Sequence, residues 1–304
     1  MQKATTETLY FETGPRNAPT MRVQPGERFQ VQTQLNRGPW LDSHPDGEAL
    51  RKRLRGGNPS SGAVYVEGAE PGHALHVHIE AIDVDPLGFT RYGGSTGAMP
   101  GWMGPSGVGA AERIVEIRDG EIHWGGGRTL PLRPMLGFVG VSPARQTFHN
   151  GWGGDWGGNF DLQEIAPGAE VILPVNVQGA LLHVGDMHAI QGDGEICGAG
   201  GIEASGTATL RCELSRKPSG MVGPRVVDET HIMTVAMAKP AEDAFRHALA
   251  ALIRWMEQEY GFSRKEAFLW LGQTLEARCT QFVNPTYTYV AKIRKAFLPK
   301  PSER

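Results

Sequence analysis

From about Arg22 to Leu214 the chain is built of short apolar runs broken every few residues by Gly, Pro or Asp, as in Ala74-Leu-His-Val-His-Ile79 and Val171-Ile-Leu-Pro-Val175. Runs this short, alternating between apolar and polar residues, suit strands with two different faces and leave little room for long helices. Many short strands joined by turns predict a β-sandwich or barrel-like body. After Leu214 the pattern changes. Between Glu242 and Gln258, Phe245, Ala248, Leu249, Leu252, Ile253 and Met256 recur at helical spacing, which predicts an amphipathic helix. Ser263, with Glu266 three residues on, has the form of a capping box. It opens a second expected helix that runs through Ala267-Phe-Leu-Trp-Leu271 to about Arg278. The expected organisation is mainly β (α+β), with a β-rich body over 1–214 and a helix-containing part over 215–304 packed on it. Phe268, Leu269, Trp270 and Leu271 give the second helix apolar surface on more than one side. Burial between the subunits of a homo-oligomer, a dimer or larger, is the corresponding expectation.

Charge and cysteine content narrow the function classes. The 304 residues include 30 Lys and Arg against 33 Asp and Glu, a formal net charge of -3, so the chain has no basic footprint for nucleic acid or an anionic membrane. No apolar run approaches the ~20 residues that span a bilayer. The N-terminus lacks the charged-then-apolar pattern of a secretion signal. Cys197, Cys212 and Cys279 make no disulfide framework, which favours a reducing cytoplasm. The stretch Gly93 to Gly109, rich in Gly, Ser and Pro, is expected to be a mobile loop. It has no Lys in phosphate-loop position, which argues against nucleotide binding.

The chemistry concentrates in Leu182-His-Val-Gly-Asp-Met-His-Ala-Ile-Gln-Gly-Asp-Gly-Glu195. On a regular strand Asp186 and His188 share a face with Leu182 and Val184, while His183 falls on the other face as a hydrogen-bonded core residue. Asp193 and Glu195 have the same spacing as Asp186 and His188. Gly192 and Gly194 permit a reversal that would bring the second pair near the first. Imidazole with carboxylates suits a Zn²⁺-like ion that keeps one position open for water. A calcium loop does not fit, because counting Asp186 as position one puts Gln191 where the turn glycine belongs. The plainer alternative is a tight turn braced by its own Asp and Gly residues.

Several motifs in order resemble the acetamidase/formamidase family of amide hydrolases. They are Gly62-Ala-Val-Tyr-Val-Glu-Gly-Ala-Glu-Pro-Gly72, Pro134-Met-Leu-Gly-Phe-Val-Gly-Val141, Gly157-Gly-Asn-Phe-Asp161, Leu173-Pro-Val175 with Gly179-Ala-Leu181, and the Gly185 to Glu195 run. The resemblance spans about Gly62 to Glu203, with a weaker echo at Gly261-Phe-Ser263 and Glu266-Ala267. It implies metal-dependent hydrolysis of a short amide to carboxylate and ammonia. On that basis Asp161, Asp186 and His188 are the candidate metal ligands, Glu195 the candidate base, and Asp193 a further ligand or a group that orients one. Glu67 is a third candidate catalytic carboxylate. The ion expected is Zn²⁺, with Ca²⁺ or another divalent ion as alternatives. The chain departs from the family where Pro71-Gly72 is followed by His73 instead of Asp, which bears on substrate range. Two other functions remain open: action on another C–N bond, as in a lactam or urea derivative, and a β-rich binding protein in which an ion merely fixes the hairpin. His76 and His78 read as a polar strand face. Cys197 reads as a small structural residue, and Gly140-Val-Ser-Pro-Ala144 lacks the closing glycine of a nucleophile elbow.

Overall fold

A computed structural model describes residues 1–93, 97–103 and 108–300. It is mainly β: one curled 18-stranded sheet, a separate two-stranded ribbon and few helices. Two long strands, His73–Tyr92 and Ala199–Arg216, form the spine as an antiparallel pair running from Ala199 opposite Arg91 to Arg216 opposite His73. Leu182–Ile190 lies against this spine. It pairs with Met135–Gly140 on one side, and with Ser60–Val66 and Ala199–Arg216 on the other.

All residues from Leu182 to Ala189 are buried. Leu182, Val184 and Met187 join Val64, Leu75 and Leu210 in the main core, so burial on both faces accounts for the weak apolar–polar alternation of this strand. It begins at Leu182, because Gly179, Ala180 and Leu181 before it all have positive φ.

The first expected helix forms over Ala241–Glu259, and lays Ala248, Leu252, Ile253 and Met256 against Ile232, Ala291 and Ile293. The second runs Arg264–Thr274. Its Ser263 hydroxyl accepts the Glu266 N–H at 3.2 Å, as the capping pattern requires. It stops four residues before Arg278 because Leu275 is extended and Glu276–Gln281 becomes a strand paired with Tyr287–Arg294. That partner is supplied by later sequence, so local helix periodicity gives no sign of it. Within the Gly93 to Gly109 stretch, Pro100–Met103 makes a short helical turn, while 94–96 and 104–107 lie outside the described residues. No helix among the described residues is long and apolar enough to cross a membrane.

Candidate active site

The Leu182–Ile190 strand carries Asp186 and His188 into the interior, where Asp186 takes φ +52°, a conformation uncommon for any residue but glycine. The neighbouring strand meets it with Gly137. A Cβ there would stand 2.6 Å from both Asp161 Oδ1 and Asp186 Oδ2, so only a glycine leaves both carboxylates their places. The Gly137 carbonyl also accepts the N–H groups of Phe160 and Asp161, at 2.9 and 3.2 Å. This holds the Asp161 turn beside the strand. Glu195 arrives from the turn after Ile190, with φ +45° following Gly194 at +84°. Its Oε1 accepts the Gly200 N–H at 3.0 Å.

A fifth group completes the cluster. Glu203, on the Ala199–Arg216 strand, lies directly opposite His188. His188 Nε2 is 3.7 Å from Asp186 Oδ1 and 3.5 Å from Glu203 Oε1. Its other nitrogen, Nδ1, is 2.8 Å from Gln191 Oε1, and Gln191 Nε2 donates to the Asp161 and Thr280 carbonyls at 2.8 and 3.2 Å. With both Gln191 hydrogens committed to carbonyls, its oxygen faces the ring. Nδ1 is then the donor, and Nε2, on giving up its proton, turns a lone pair toward the carboxylates where a metal would bind.

Asparagines hold the carboxylates. Asn36 Nδ2 donates to Asp186 Oδ1 at 2.9 Å and Glu203 Oε2 at 2.8 Å, and Asn58 Nδ2 to Asp186 Oδ2 at 3.2 Å. Asn159 and Asn284 both donate to Asp161 Oδ2, at 3.0 and 2.6 Å. Four buried atoms at the site remain without a hydrogen-bond partner: Asp161 Oδ1, His188 Nε2, Glu195 Oε2 and the Asn159 amide oxygen Oδ1. A buried polar atom left unpaired costs free energy unless a ligand satisfies it.

The local electrostatics are strained accordingly. Burial holds the Asp161 carboxyl well above its ordinary range, and repulsion from Glu195 and Asp186 pushes the same way. Glu195 is raised to about 7, chiefly by burial. Burial alone would lower His188, but Asp186 and Glu203 outweigh it and raise the imidazole well above its usual value. A divalent cation would relieve all three. Asp161, Asp186 and His188 form one group whose ligand atoms lie within 4.8 Å of one another, and His188, Glu195 and Glu203 form another. One nitrogen among carboxylate oxygens suits Zn²⁺ and tolerates harder divalent ions.

The sequence candidates Asp161, Asp186, His188 and Glu195 are thus brought together, whereas Asp193 and Glu67 are placed elsewhere. Asp193 faces solvent and accepts from Arg278 Nε at 2.7 Å and Gln163 Nε2 at 3.2 Å. The turn between Gly192 and Gly198 is too irregular for a spacing of two to put Asp193 and Glu195 on one side. Glu67 sits past the end of Ser60–Val66 and pairs with Arg22 at 3.0 Å. His73, His76 and His78 are also remote, engaged with Glu70, Glu170 and Glu213 respectively. His183 is fully buried with Nδ1 3.1 Å from Ser60 Oγ, and burial lowers it to about 3, so it is a neutral core residue.

The sequence model of the acetamidase/formamidase family matches residues 141–295, just over half of the chain. The chain belongs to the acetamidase/formamidase family. The crystal structure of an acetamidase from Bacillus halodurans superposes with a TM-score of 0.87 at 29% identity, covering 97% of this chain and 98% of that one. Local sequence similarity reaches 43% over 58 residues with an acetamidase of Mycolicibacterium smegmatis, and 42% over 60 residues with a formamidase of Methylophilus methylotrophus. Those stretches cover 19% and 20% of this chain, and 14% and 15% of the relatives' own lengths. The part of this acetamidase/formamidase family member matched by the family model contains Asp161, Asp186, His188, Glu195 and Glu203. Asn36 and Asn58, which hold Asp186, lie before it.

Proposed function

We propose that this protein hydrolyses the C–N bond of short linear amides, R-CO-NH₂ + H₂O giving R-COO⁻ + NH₄⁺, with the aid of a divalent metal ion. The observation that carries the reading is the buried Asp161, Asp186 and His188 group, in which Asp161 Oδ1 and His188 Nε2 are unpartnered and Asp186 lines an open cavity. The names of its relatives, acetamidase and formamidase, support the substrate class.

An amide resists water because its nitrogen donates into the carbonyl and leaves poorly until protonated. Asp161, Asp186 and His188 would hold Zn²⁺ or a harder ion such as Ca²⁺; when bound, such an ion lowers the pKa of water and polarises a carbonyl. Glu195 would move the protons. Its Oε1 is fixed by the Gly200 N–H, and its Oε2 is free to take a proton from the attacking water and pass it to the departing nitrogen. Gln191 fixes the imidazole, while Asn36 holds Asp186 and Glu203 through one shared amide nitrogen.

The test is ammonia release from formamide, acetamide, propionamide, a small lactam and urea, with and without chelator. Release from linear amides that chelation abolishes is expected. A fully active metal-free preparation would remove the metal from the account, and silence on every amide would remove the amidase. Assembly into a homo-oligomer through the exposed Phe268, Leu269 and Trp270 belongs to the same reading. So does a cytoplasmic location, in keeping with three free cysteines.

A further inference from the structure

The cavity that opens onto Asp186, Glu195 and Glu203 has a volume of about 290 Å³. That is the liquid volume of roughly ten waters, several times what formamide or acetamide fills. Its walls carry three arginines, Arg37, Arg55 and Arg91. All three are exposed, and among the described residues none pairs with a carboxylate, although acidic residues outnumber basic ones in the chain.

Each of the three is tied to the site by a short length of backbone. Arg37 follows Asn36, whose amide binds Asp186 and Glu203. Arg55 stands three residues before Asn58, which binds the other Asp186 oxygen. Arg91 lies across the strand pair from Ala199, next to the Gly200 N–H that holds Glu195. The buried carboxylates beneath them would repel an anion. Arginines lining the cavity oppose that field on the way in, and a guanidinium offers a planar fork that matches a carboxylate.

We propose that the substrate is an amide bearing an anionic group, in its simplest form a carboxylate a few bonds from the amide carbon, with Arg37, Arg55 and Arg91 as the residues that bind the anion. This rests on the amidase reading above and narrows its substrate class to monoamides of short dicarboxylic acids. In the reaction ⁻OOC-(CH₂)n-CO-NH₂ + H₂O gives ⁻OOC-(CH₂)n-COO⁻ + NH₄⁺: the C–N bond breaks, a C–O bond forms and both water protons end on nitrogen.

The experiment compares kcat/KM for succinamate and glutaramate with that for butyramide and valeramide. It uses the wild type, a triple Arg37→Gln, Arg55→Gln, Arg91→Gln variant, and Arg254→Gln on the Ala241–Glu259 helix as control. The wild type should favour the anionic amides by about tenfold or more, as charge-assisted contacts allow. The triple variant should lose most of that ratio, mainly through KM, and the control should keep it. Equal turnover of butyramide and succinamate by the wild type, or a ratio unchanged in the triple variant, would overturn the proposal. If no amide releases ammonia, the amidase reading falls, and calorimetric titration with succinate still decides the anion site. Binding that the triple variant loses would uphold that site, and no binding to the wild type would sink it.

Discussion

Three residues past Asp161, Glu164 offers a quantitative test of how the strands behind the site are held. Its Oε2 accepts from Arg278 Nη2 at 2.6 Å and its Oε1 from Arg278 Nη1 at 2.8 Å and Lys292 Nζ at 2.9 Å, with the side chain 13% exposed. Burial by itself would raise this carboxyl, but the two cations more than offset it and lower it from 4.5 to about 2. A folded-state value below the unfolded one means a contribution fully present above about 4.5 and lost as the pH falls toward about 2. The shift corresponds to about 3 kcal/mol at neutral pH, falling to about 1.4 kcal/mol at pH ~3. Glu164→Gln removes that titration, while Arg278 keeps Asp193 and Lys292 keeps Glu276 as partners. Urea unfolding of both proteins across a pH series, compared as a difference, cancels every other carboxylate. The variant should be less stable by about 3 kcal/mol at neutral pH, with the gap narrowing steadily below pH ~4.5. A gap that stays constant with pH, or widens in acid, would refute the reasoning.

Other perturbations act on the site itself. Glu195→Gln should retain bound metal and fold while turnover falls by ~100-fold to ~10,000-fold, the usual worth of a general base; His188→Ala should lose metal and turnover together. Metal analysis beside single-turnover rates separates the two, and the reverse pattern would exchange the roles. Gly137→Ala pushes a methyl to 2.6 Å from two carboxylate oxygens, so unfolding should show a loss of ~1–3 kcal/mol from overpacking together with weaker metal binding. Unchanged affinity would mean the carboxylates have room to move. Phe268→Ser with Leu269→Ser should shift the protein toward smaller species in light scattering. A wild type already monomeric at micromolar concentration would dispose of the proposed interface.

How much of this was legible in the sequence depended on whether a contact was local. Asp186 and His188 stood out because they share one short run, Asp161 because two glycines and an asparagine precede it in a family motif. The β-rich body followed from the spacing of Gly and Pro, and the Ser263 cap from three residues of pattern. Glu203 was not legible as a site residue. It meets His188 only through pairing of two strands with a bulge between them. Asn36, Asn58 and Asn284 come from distant segments, and an isolated asparagine looks like any turn residue. Asp193 misled because period two holds only while the backbone stays extended, and Gly194 and Glu195 both leave that region. The end of the second helix was misplaced for a related reason, since Arg278 gains a strand partner from sequence still to come.

The central claim is that Asp161, Asp186 and His188 hold the ion on which amide hydrolysis depends. Diffraction from a zinc-loaded, catalytically active crystal, recorded on both sides of the zinc absorption edge, tests it most directly. The account predicts one strong anomalous peak about 2.0–2.2 Å from His188 Nε2 and from an oxygen each of Asp161 and Asp186. An active crystal with no peak there, or with its zinc bound at other residues, would contradict it.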